Sequence, residues 1–131
     1  MKIFIADDEK KVRNAIRILV ELEDQNHICA EAANSQELFS YLNFCKPDIL
    51  LLDHKLPGLI VSPESLQSIR AAVPGIRIIL MSVDIHENMQ QITADAILCK
   101  CSSPQVFLST LEQFRPIKDD SPYSPVQSVM C

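Results

Sequence analysis

The chain has 131 residues, of which 47% are hydrophobic and 22% charged, as is usual for one globular domain that buries its own core. The formal net charge of −5 argues against a nucleic-acid-binding surface, which would be rich in Lys and Arg. Only two glycines occur, which excludes the glycine-rich phosphate loops of Rossmann and P-loop enzymes, and we find neither a membrane-length apolar run nor a signal-peptide pattern.

Five short apolar runs predict β-strands, and they lie at residues 3–6, 28–32, 48–53, 76–81 and 96–99. Each run is continuous rather than alternating with polar residues, which is typical of strands covered on both faces. The third run ends on Asp53, although Asp is a poor strand residue and its charge is costly to bury. This carboxylate is therefore either a turn residue or part of a functional site.

Helical periodicity fills the intervals between these runs and follows the last of them. The first predicted helix carries apolar residues at helical spacing from Val12 to Val20. Each of the other four begins at an N-cap residue that is supported by a Glu three positions later or by Pro at the first helical position. In chain order these pairs are Asn34 with Glu37, Ser62 with Pro63, Asp84 with Glu87, and Ser103 with Pro104.

The alternation of strands and helices predicts an α/β fold, in which a doubly wound parallel sheet has helices on both faces. After Phe114 the chain contains three prolines, three serines and no periodicity. We therefore expect one globular domain at residues 1–114 and a flexible tail or linker stub at residues 115–131. The tail slightly favours the end of a single-domain protein over the cut edge of a linker to a DNA-binding domain.

The five cysteines are odd in number and irregularly spaced, which is not the pattern of a disulfide framework. We interpret them as reduced thiols and therefore expect a cytoplasmic protein. Cys99 and Cys101 form a C-x-C pair, but this is poor spacing for zinc without further Cys or His nearby. We expect one of these two side chains to pack inward and the other to lie near the following loop.

Polar residues follow four of the predicted strands at the point where each strand ends. They are Asp7 and Asp8 after the first strand, Asp53 after the third, Ser82 after the fourth and Lys100 after the fifth. In an open parallel sheet, ligands bind outside the carboxyl ends of the strands. We expect these side chains to share one pocket at that edge of the sheet.

The chemistry of this pocket indicates phosphoryl transfer. Three carboxylates repel one another, and a hard divalent cation such as Mg²⁺, together with the ammonium of Lys100, relieves that repulsion. Once the negative charge is neutralised, an ionised carboxylate can act as a nucleophile toward phosphorus, as aspartyl-phosphate chemistry requires. Ser82 offers an O–H donor for an oxygen of the transferred group.

The order and spacing of these residues resemble the pattern of the receiver domain of bacterial two-component response regulators. The resemblance covers residues 1–114 and depends on five ordered positions rather than on any single motif. Asp7 and Asp8 match the acidic pair, Asp53 followed by Leu56-Pro57-Gly58 resembles the phosphoacceptor segment, Ser82 falls at the Ser/Thr position, and Lys100 matches the family lysine.

The resemblance implies a flavodoxin-like fold with strand order 2-1-3-4-5 and five helices. It implies a phosphoryl group taken onto Asp53 from a sensor histidine kinase or a phosphotransfer protein, with Mg²⁺ or Mn²⁺. Asp8, Asp53 and the backbone carbonyl of Lys55 would bind the metal directly, and Asp7 would bind it through water. Lys55 and Asp84 would tune the dephosphorylation.

By the same resemblance, the protein would be a signalling switch rather than a metabolic enzyme, and it would catalyse only its own phosphorylation and dephosphorylation. Its output surface would be formed by the fourth helix, the fifth strand and the fifth helix, used for a homodimer or for another partner. We expect neither direct nucleic-acid binding nor membrane binding by this chain.

Three positions depart from the family pattern. Ile97 stands where the family usually has a Tyr or Phe that moves inward on activation, so the aromatic switch is absent or replaced. Cys101 replaces the usual cis-proline after the lysine, and Val83 replaces a small residue, which is expected to narrow access to the phosphate site. The segment 100–104, KCSSP, more closely resembles receivers that precede a helix-turn-helix domain.

Two alternatives remain open. A receiver-fold interaction module that works without phosphate is favoured by Ile97, Val83 and Cys101 and opposed by the intact acids, serine and lysine. A Mg²⁺-dependent phosphohydrolase could use Asp53 as its nucleophile, but Lys55 stands where the haloacid-dehalogenase type has a second acid, and no cap segment is recognisable.

Overall fold

The computed structural model describes residues 1–84 and 92–116, and strands and helices alternate in it as predicted up to the fourth strand. The elements are β1 (Lys2–Ala6), α1 (Lys10–Val20), β2 (His27–Ala32), α2 (Ser35–Cys45), β3 (Ile49–Asp53), α3 (Pro63–Ala72), β4 (Arg77–Ser82), β5 (Ala96–Cys99) and α4 (Pro104–Glu112). All strand pairs are parallel, in the order β2-β1-β3-β4-β5. The α/β class, the strand order and the strand positions to within one residue are thereby confirmed.

Four helices lie within the described residues, where five were predicted for the whole chain. The predicted fourth helix, beginning at Asp84 with Glu87, falls on residues 85–91, which lie outside the described ranges. Residues 117–131 of the predicted tail lie outside them too, so the proposed domain boundary stays a prediction. Every helix in the described part of the chain is too short to cross a membrane.

The core consists of two apolar clusters, one on each face of the sheet. Alternate residues of β1, β3 and β4 point toward α2 and α3 on one face and toward α1 and α4 on the other. All five residues of β3 are buried, which explains its continuous apolar sequence. Because both faces are covered, the strand ends are the part of the sheet where buried polar groups can meet a ligand.

β5 is one of the two edge strands, and its start is held by the side chain of Asp95. One carboxylate oxygen, Oδ2, accepts a hydrogen bond from the backbone N–H of Ile78 at 2.7 Å. The same carboxylate pairs with Arg70 of α3 and Arg77 of β4, each at 3.4 Å. These contacts fix the short strand whose other end leads to Lys100.

The loop after β3 is anchored on the N-terminus of α2. The backbone N–H of Ser35 donates to the carbonyl oxygen of Pro57 at 2.9 Å. Gly58 then adopts a φ of +84°, and a Cβ added there would lie 2.5 Å from the Ser35 Oγ atom. The Leu-Pro-Gly segment therefore needs its glycine both for the backbone conformation and for the close approach to α2.

The prediction of reduced thiols is wrong for Cys99 and Cys101, which form a disulfide with their Cα atoms 5.1 Å apart. Cys99 is half-buried at the end of β5 and Cys101 is exposed in the turn that follows, and this turn brings the two sulfurs together. Cys29 and Cys45 are free thiols. Burial of the Cys29 thiol, together with the nearby thiol of Cys45, raises the pKa of Cys29 to about 12. Cys131 lies outside the described residues, and the cytoplasmic location stays a prediction.

Substitution of Gly58 by Ala should destabilise the protein more than the matched substitution of Gly75, which has a φ of +88° but no atom within 4 Å of an added Cβ. Both changes force alanine into a left-handed conformation, at a cost of about 1 kcal/mol. Gly58→Ala also displaces the Ser35 hydroxyl, which adds roughly 0.5–1.5 kcal/mol. Urea unfolding measures both free energies.

The control is the Ser35→Ala background, in which the hydroxyl that opposes the new Cβ is missing. There the two glycine substitutions should cost the same free energy of unfolding. Equal costs already in the presence of Ser35 would contradict the close contact between the loop and α2.

Candidate functional site

The predicted site residues converge at the carboxyl edge of the sheet. Asp53 is the last residue of β3 and Ser82 the last of β4, while Asp7 and Lys100 directly follow β1 and β5. Backbone pairing continues through these positions, because Asp7 N–H donates to Ala32 O at 2.9 Å and Lys100 N–H donates to Ser82 O at 2.7 Å. The sheet itself therefore sets the spacing of the functional side chains.

Lys100 connects two buried carboxylates. Its Nζ lies 2.6 Å from Asp7 Oδ2 and 3.3 Å from Asp53 Oδ1. Asp7 is fully buried and Asp53 only 6% exposed. Burial alone would lower the pKa of Lys100, but the hydrogen bond to Asp7 and the charges of Asp53 and Asp7 outweigh it and raise the pKa above its ordinary 10.5. The side chain is therefore an ammonium at neutral pH.

Asp7, Asp8 and Asp53 form one acidic cluster, with a carboxylate oxygen from each lying within 4.8 Å of the others. The N–H of Glu9 donates to Asp7 Oδ1 at 2.9 Å, and the N–H of Lys55 donates to Asp53 Oδ1 at 3.2 Å, which orients both carboxylates. The fully buried Asp7 Oδ2 has the Lys100 ammonium as its partner. The ligands that this cluster offers are all oxygens, and the single positive charge of Lys100 leaves the three acids with an excess of negative charge. Both features fit a hard divalent cation such as Mg²⁺ or Mn²⁺.

The cluster opens into a cleft of about 390 Å³. Val83 lies on its rim with 72% of its surface exposed, and Lys55 and Asp84 are exposed beside it. The cleft is lined by Asp8, Glu9, Asp53, His54, Lys55, Ser82, Val83, Asp84 and Lys100. The predicted acceptor, metal-binding, phosphate-contacting and dephosphorylation-tuning residues thus share one cavity, apart from Asp7, which is buried behind it.

The Ser82 hydroxyl is engaged with the backbone that follows it. Its Oγ donates to Asp84 O at 2.8 Å and accepts from Asp84 N–H at 3.1 Å. These two bonds hold the first residues of the loop after β4 close to the end of the strand. A new acceptor in the cleft would compete with Asp84 O for the hydroxyl proton.

Arg13 is a positioning residue that the sequence patterns do not reveal. Its Nη1 donates to the backbone oxygen of Asp7 at 2.6 Å, and its Nε pairs with Glu31 of β2 at 3.0 Å. Arg17, one turn later on α1, also pairs with Glu31. The sequence shows only that the first helix carries basic residues and the second strand an acidic one. This does not identify which arginine pairs with Glu31 or reaches Asp7.

Ile97, at the position of the family's aromatic switch, packs against the apolar cluster shared by α2 and α3. The peptide bond between Lys100 and Cys101 is trans, unlike the cis-proline bond usual in the family. Ile97 is thus partly buried against the core, and the turn that carries Lys100 is closed by a disulfide where the family usually has a proline.

The family model of the response regulator receiver domain matches residues 3–112. The nitrate/nitrite response regulator protein homolog of Haemophilus influenzae is 27% identical over 117 residues, which cover 86% of this chain and 56% of that protein. NarL, the nitrate/nitrite response regulator protein of Escherichia coli K12, is 28% identical over 116 residues, 85% of this chain and 53% of that protein. The chain therefore spans about half the length of these relatives.

Among solved structures, the chain is similar to a two-component response regulator of the LuxR family from Aurantimonas sp. SI85-9A1. The TM-score is 0.77 at 23% identity, over 99% of this chain and 98% of that one. At this identity the likeness shows the fold, and it agrees with the five-stranded parallel sheet described above.

Lys100→Met should lower the free energy of unfolding at pH 7 by roughly 2–4 kcal/mol, because it leaves two buried carboxylates without their cation. Millimolar Mg²⁺ should restore part of the loss. Urea unfolding with EDTA and with Mg²⁺ measures both effects, and Lys55→Met, which removes an exposed lysine from the same cleft, is the matched control. Equal stabilities of the two variants would contradict the role of the ion pair.

The destabilisation by Lys100→Met should persist from pH 7 to pH 9. The folded pKa of Lys100 is raised above its ordinary value of 10.5, so its contribution to stability is fully present below that pH and is lost only as the pH rises through the folded pKa. Unfolding of the wild type and the variant at pH 7, 8 and 9 tests this. A difference that shrinks over this interval would contradict the raised pKa.

Proposed function

Because the chain belongs to the response regulator receiver domain family, we propose that it accepts a phosphoryl group on Asp53 and switches a protein-interaction surface in two-component signalling. The donor is a sensor histidine kinase or a phosphotransfer protein, and the reaction depends on Mg²⁺ or Mn²⁺. The protein is a switch that catalyses only its own phosphorylation and dephosphorylation.

The observation that carries this proposal is the contact of one ammonium, Lys100 Nζ, with both Asp7 and Asp53 beside an open cleft. Packing of the core does not explain why three acids and a lysine lie at one sheet edge. A nucleophilic aspartate does explain it, because the negative charge of an incoming phosphoryl group must be neutralised where the strand ends.

In the transfer, a carboxylate oxygen of Asp53 forms a bond to phosphorus while the bond from phosphorus to the donor's nitrogen or oxygen breaks. Lys100 stabilises the negative charge on the transferring oxygens, and the neighbouring Asp7 holds Lys100 in place. Asp8, Asp53 and the Lys55 carbonyl would hold the divalent cation, with Asp7 contacting it through water, and the bound cation would add to the neutralisation of charge on the phosphoryl group.

The phosphoryl group is read out through Ser82. To donate to a phosphoryl oxygen, the hydroxyl must release Asp84 O, which it contacts at 2.8 Å. This exchange frees the start of the loop after β4 and biases the conformation of that loop. Lys55 and Asp84, both exposed at the cleft, control the access of water and thereby the lifetime of the phosphate.

The output surface in this proposal comprises the predicted helix after Asp84, β5 and α4. Its partner is a second copy of the chain or another protein. The fourth predicted helix falls on residues outside the described ranges, so the geometry of this surface is part of the proposal.

A second candidate is a receiver-fold interaction module that works without phosphate. The packing of Ile97 against the α2 and α3 side of the core favours it, because no aromatic side chain is available there to couple the cleft to the surface. This candidate keeps the same partners and the same surface but requires no chemistry at Asp53.

Incubation with acetyl phosphate and Mg²⁺ should add one phosphoryl group to the full chain, as measured by intact mass. The addition should be lost with EDTA and in Asp53→Asn, because metal and nucleophile are then missing. Asp24→Asn, which alters an exposed acid in the turn before β2, is the matched control and should gain the group as the wild type does.

A gain of mass that persists in Asp53→Asn would place the acceptor elsewhere and overturn the proposal. No gain in any variant, together with a stability that Mg²⁺ leaves unchanged, would favour the phosphate-independent module.

A further inference from the structure

The disulfide between Cys99 and Cys101 encloses the backbone of Lys100 in a small covalent ring. The same lysine reaches Asp7 at 2.6 Å and Asp53 at 3.3 Å. Cys99–Cys101 is the only disulfide among the described residues. Its ring contains the one described lysine that contacts both buried carboxylates. Breaking or forming this S–S bond therefore acts most directly on Lys100, whose ammonium neutralises the acidic cluster.

The two sulfurs differ in their accessibility to a reactant. Cys101 is exposed, whereas Cys99 is half-buried at the end of β5. Thiol–disulfide exchange requires a thiolate to approach one sulfur in line with the S–S bond. Because Cys101 is the more exposed residue, its sulfur is the site of attack in the exchange, and Cys99 is the leaving group.

Reduction would also change a contact on the Ser82 side of the cleft. Cys99 Sγ lies 3.9 Å from the carbonyl oxygen of Val83, which directly follows Ser82. A disulfide sulfur has no proton, so this contact is not a hydrogen bond in the oxidised form, but the thiol produced by reduction can donate there. The N–H of Cys101, which points at Cys99 Sγ at 3.3 Å, loses its fixed acceptor at the same time.

We propose that Cys99 and Cys101 form a thiol–disulfide exchange site for low-molecular-weight thiols of the glutathione class, and that its redox state sets the position of Lys100 in the acidic cluster. The effect on phosphoryl uptake rests on the function proposed above. The site gives a single domain two inputs, one through Asp53 and one through the cysteine pair.

The exchange balances with the thiol and its disulfide as the only reactants. A thiolate attacks Cys101 Sγ, the S–S bond breaks, and its electron pair leaves on Cys99 Sγ, which takes a proton from water. A second thiolate attacks the thiol-derived sulfur of the mixed disulfide, which releases the small disulfide and leaves Cys101 as a thiolate that is then protonated. The protein gains two electrons and two protons, two thiols become one disulfide, and excess disulfide reverses the sequence.

The oxidised form is the one in which Lys100 is preorganised. Its backbone is restrained by the ring and by its own N–H bond to Ser82 O, and the N–H of Ser102 donates to Cys99 O at 2.9 Å. Without the ring, the backbone of Lys100 keeps only these hydrogen bonds, and its side chain keeps the ion pairs with Asp7 and Asp53. Reduction should slow phosphoryl uptake by roughly three- to tenfold, because a small displacement of a charge-stabilising group weakens its effect on the reacting atoms.

The first experiment equilibrates the full chain with glutathione and glutathione disulfide at varied ratios, then alkylates free thiols and maps them by peptide mass. Cys99 and Cys101 should convert together and reversibly between disulfide and dithiol. Cys29, whose thiol is partly buried, should remain unoxidised. A 99–101 pair that stays as two thiols in excess glutathione disulfide, or that cannot be reduced by excess glutathione, overturns the proposed site.

The second experiment compares oxidised and reduced protein, freed of glutathione, in the rate of mass gain from acetyl phosphate with Mg²⁺. The oxidised protein should react faster, the double variant Cys99→Ser/Cys101→Ser should react at the reduced rate under both conditions, and Cys29→Ser/Cys45→Ser should keep the full response. Equal rates for the two verified redox forms overturn the control of Lys100.

Amide hydrogen exchange at residues 99–103 separates this proposal from the function on which it rests. If neither form takes up phosphate, the proposed function fails, but faster exchange at Lys100 in the reduced form still supports the redox control of its position. Unchanged exchange in the two forms overturns that control, whether or not phosphate is taken up.

Discussion

The ion pair of Lys100 with Asp7 and Asp53 is the interaction on which the edge of this sheet depends. Two carboxylates that are almost or completely removed from water repel one another strongly, since the interior screens their charges poorly. One ammonium offsets part of this repulsion and leaves a net negative charge beside the exposed Asp8. The fold thus retains a local excess of negative charge that a cation from solution can neutralise, so its stability and its chemistry involve the same atoms.

The sheet turns residues that are far apart in sequence into this compact arrangement. β1, β3, β4 and β5 each bring one position to the same edge, and the two apolar clusters hold the strands between the helix pairs α1 with α4 and α2 with α3. At the start of the edge strand β5, Asp95 ties the chain to β4 and α3 by accepting from Ile78 N–H and pairing with two arginines. The lysine therefore follows an edge strand, while Asp7 and Asp53 come from the buried central strands β1 and β3.

Much of this arrangement could be predicted because it follows from local rules. Continuous apolar runs locate the buried strands, and N-cap residues locate helix starts, as at Asn34, whose side chain accepts from Glu37 N–H at 2.9 Å. The Glu37 carboxylate, however, accepts from the N–H of Ala33, one residue before the cap, at 2.7 Å. The sequence does not predict this partner, because it depends on the direction in which the backbone leaves β2. The support of Asp7 by Arg13 was not predictable, since it depends on how a helix rotates against the sheet. The disulfide of Cys99 with Cys101 was not predicted, because the sequence locates a loop after β5 but not the turn that brings the two sulfurs together.

The ring closed by Cys99 and Cys101 has a consequence for the energetics of the whole domain. A cross-link stabilises a protein mainly by restricting the unfolded chain, and the restriction grows with the length of the loop that is closed. For a sequence separation of two the entropic gain is only about 1.5 kcal/mol, roughly half that of a 15-residue loop. Global stability therefore depends only weakly on whether this bond exists. Its conformational restraint falls almost entirely on a single residue, and that residue is the lysine of the acidic cluster.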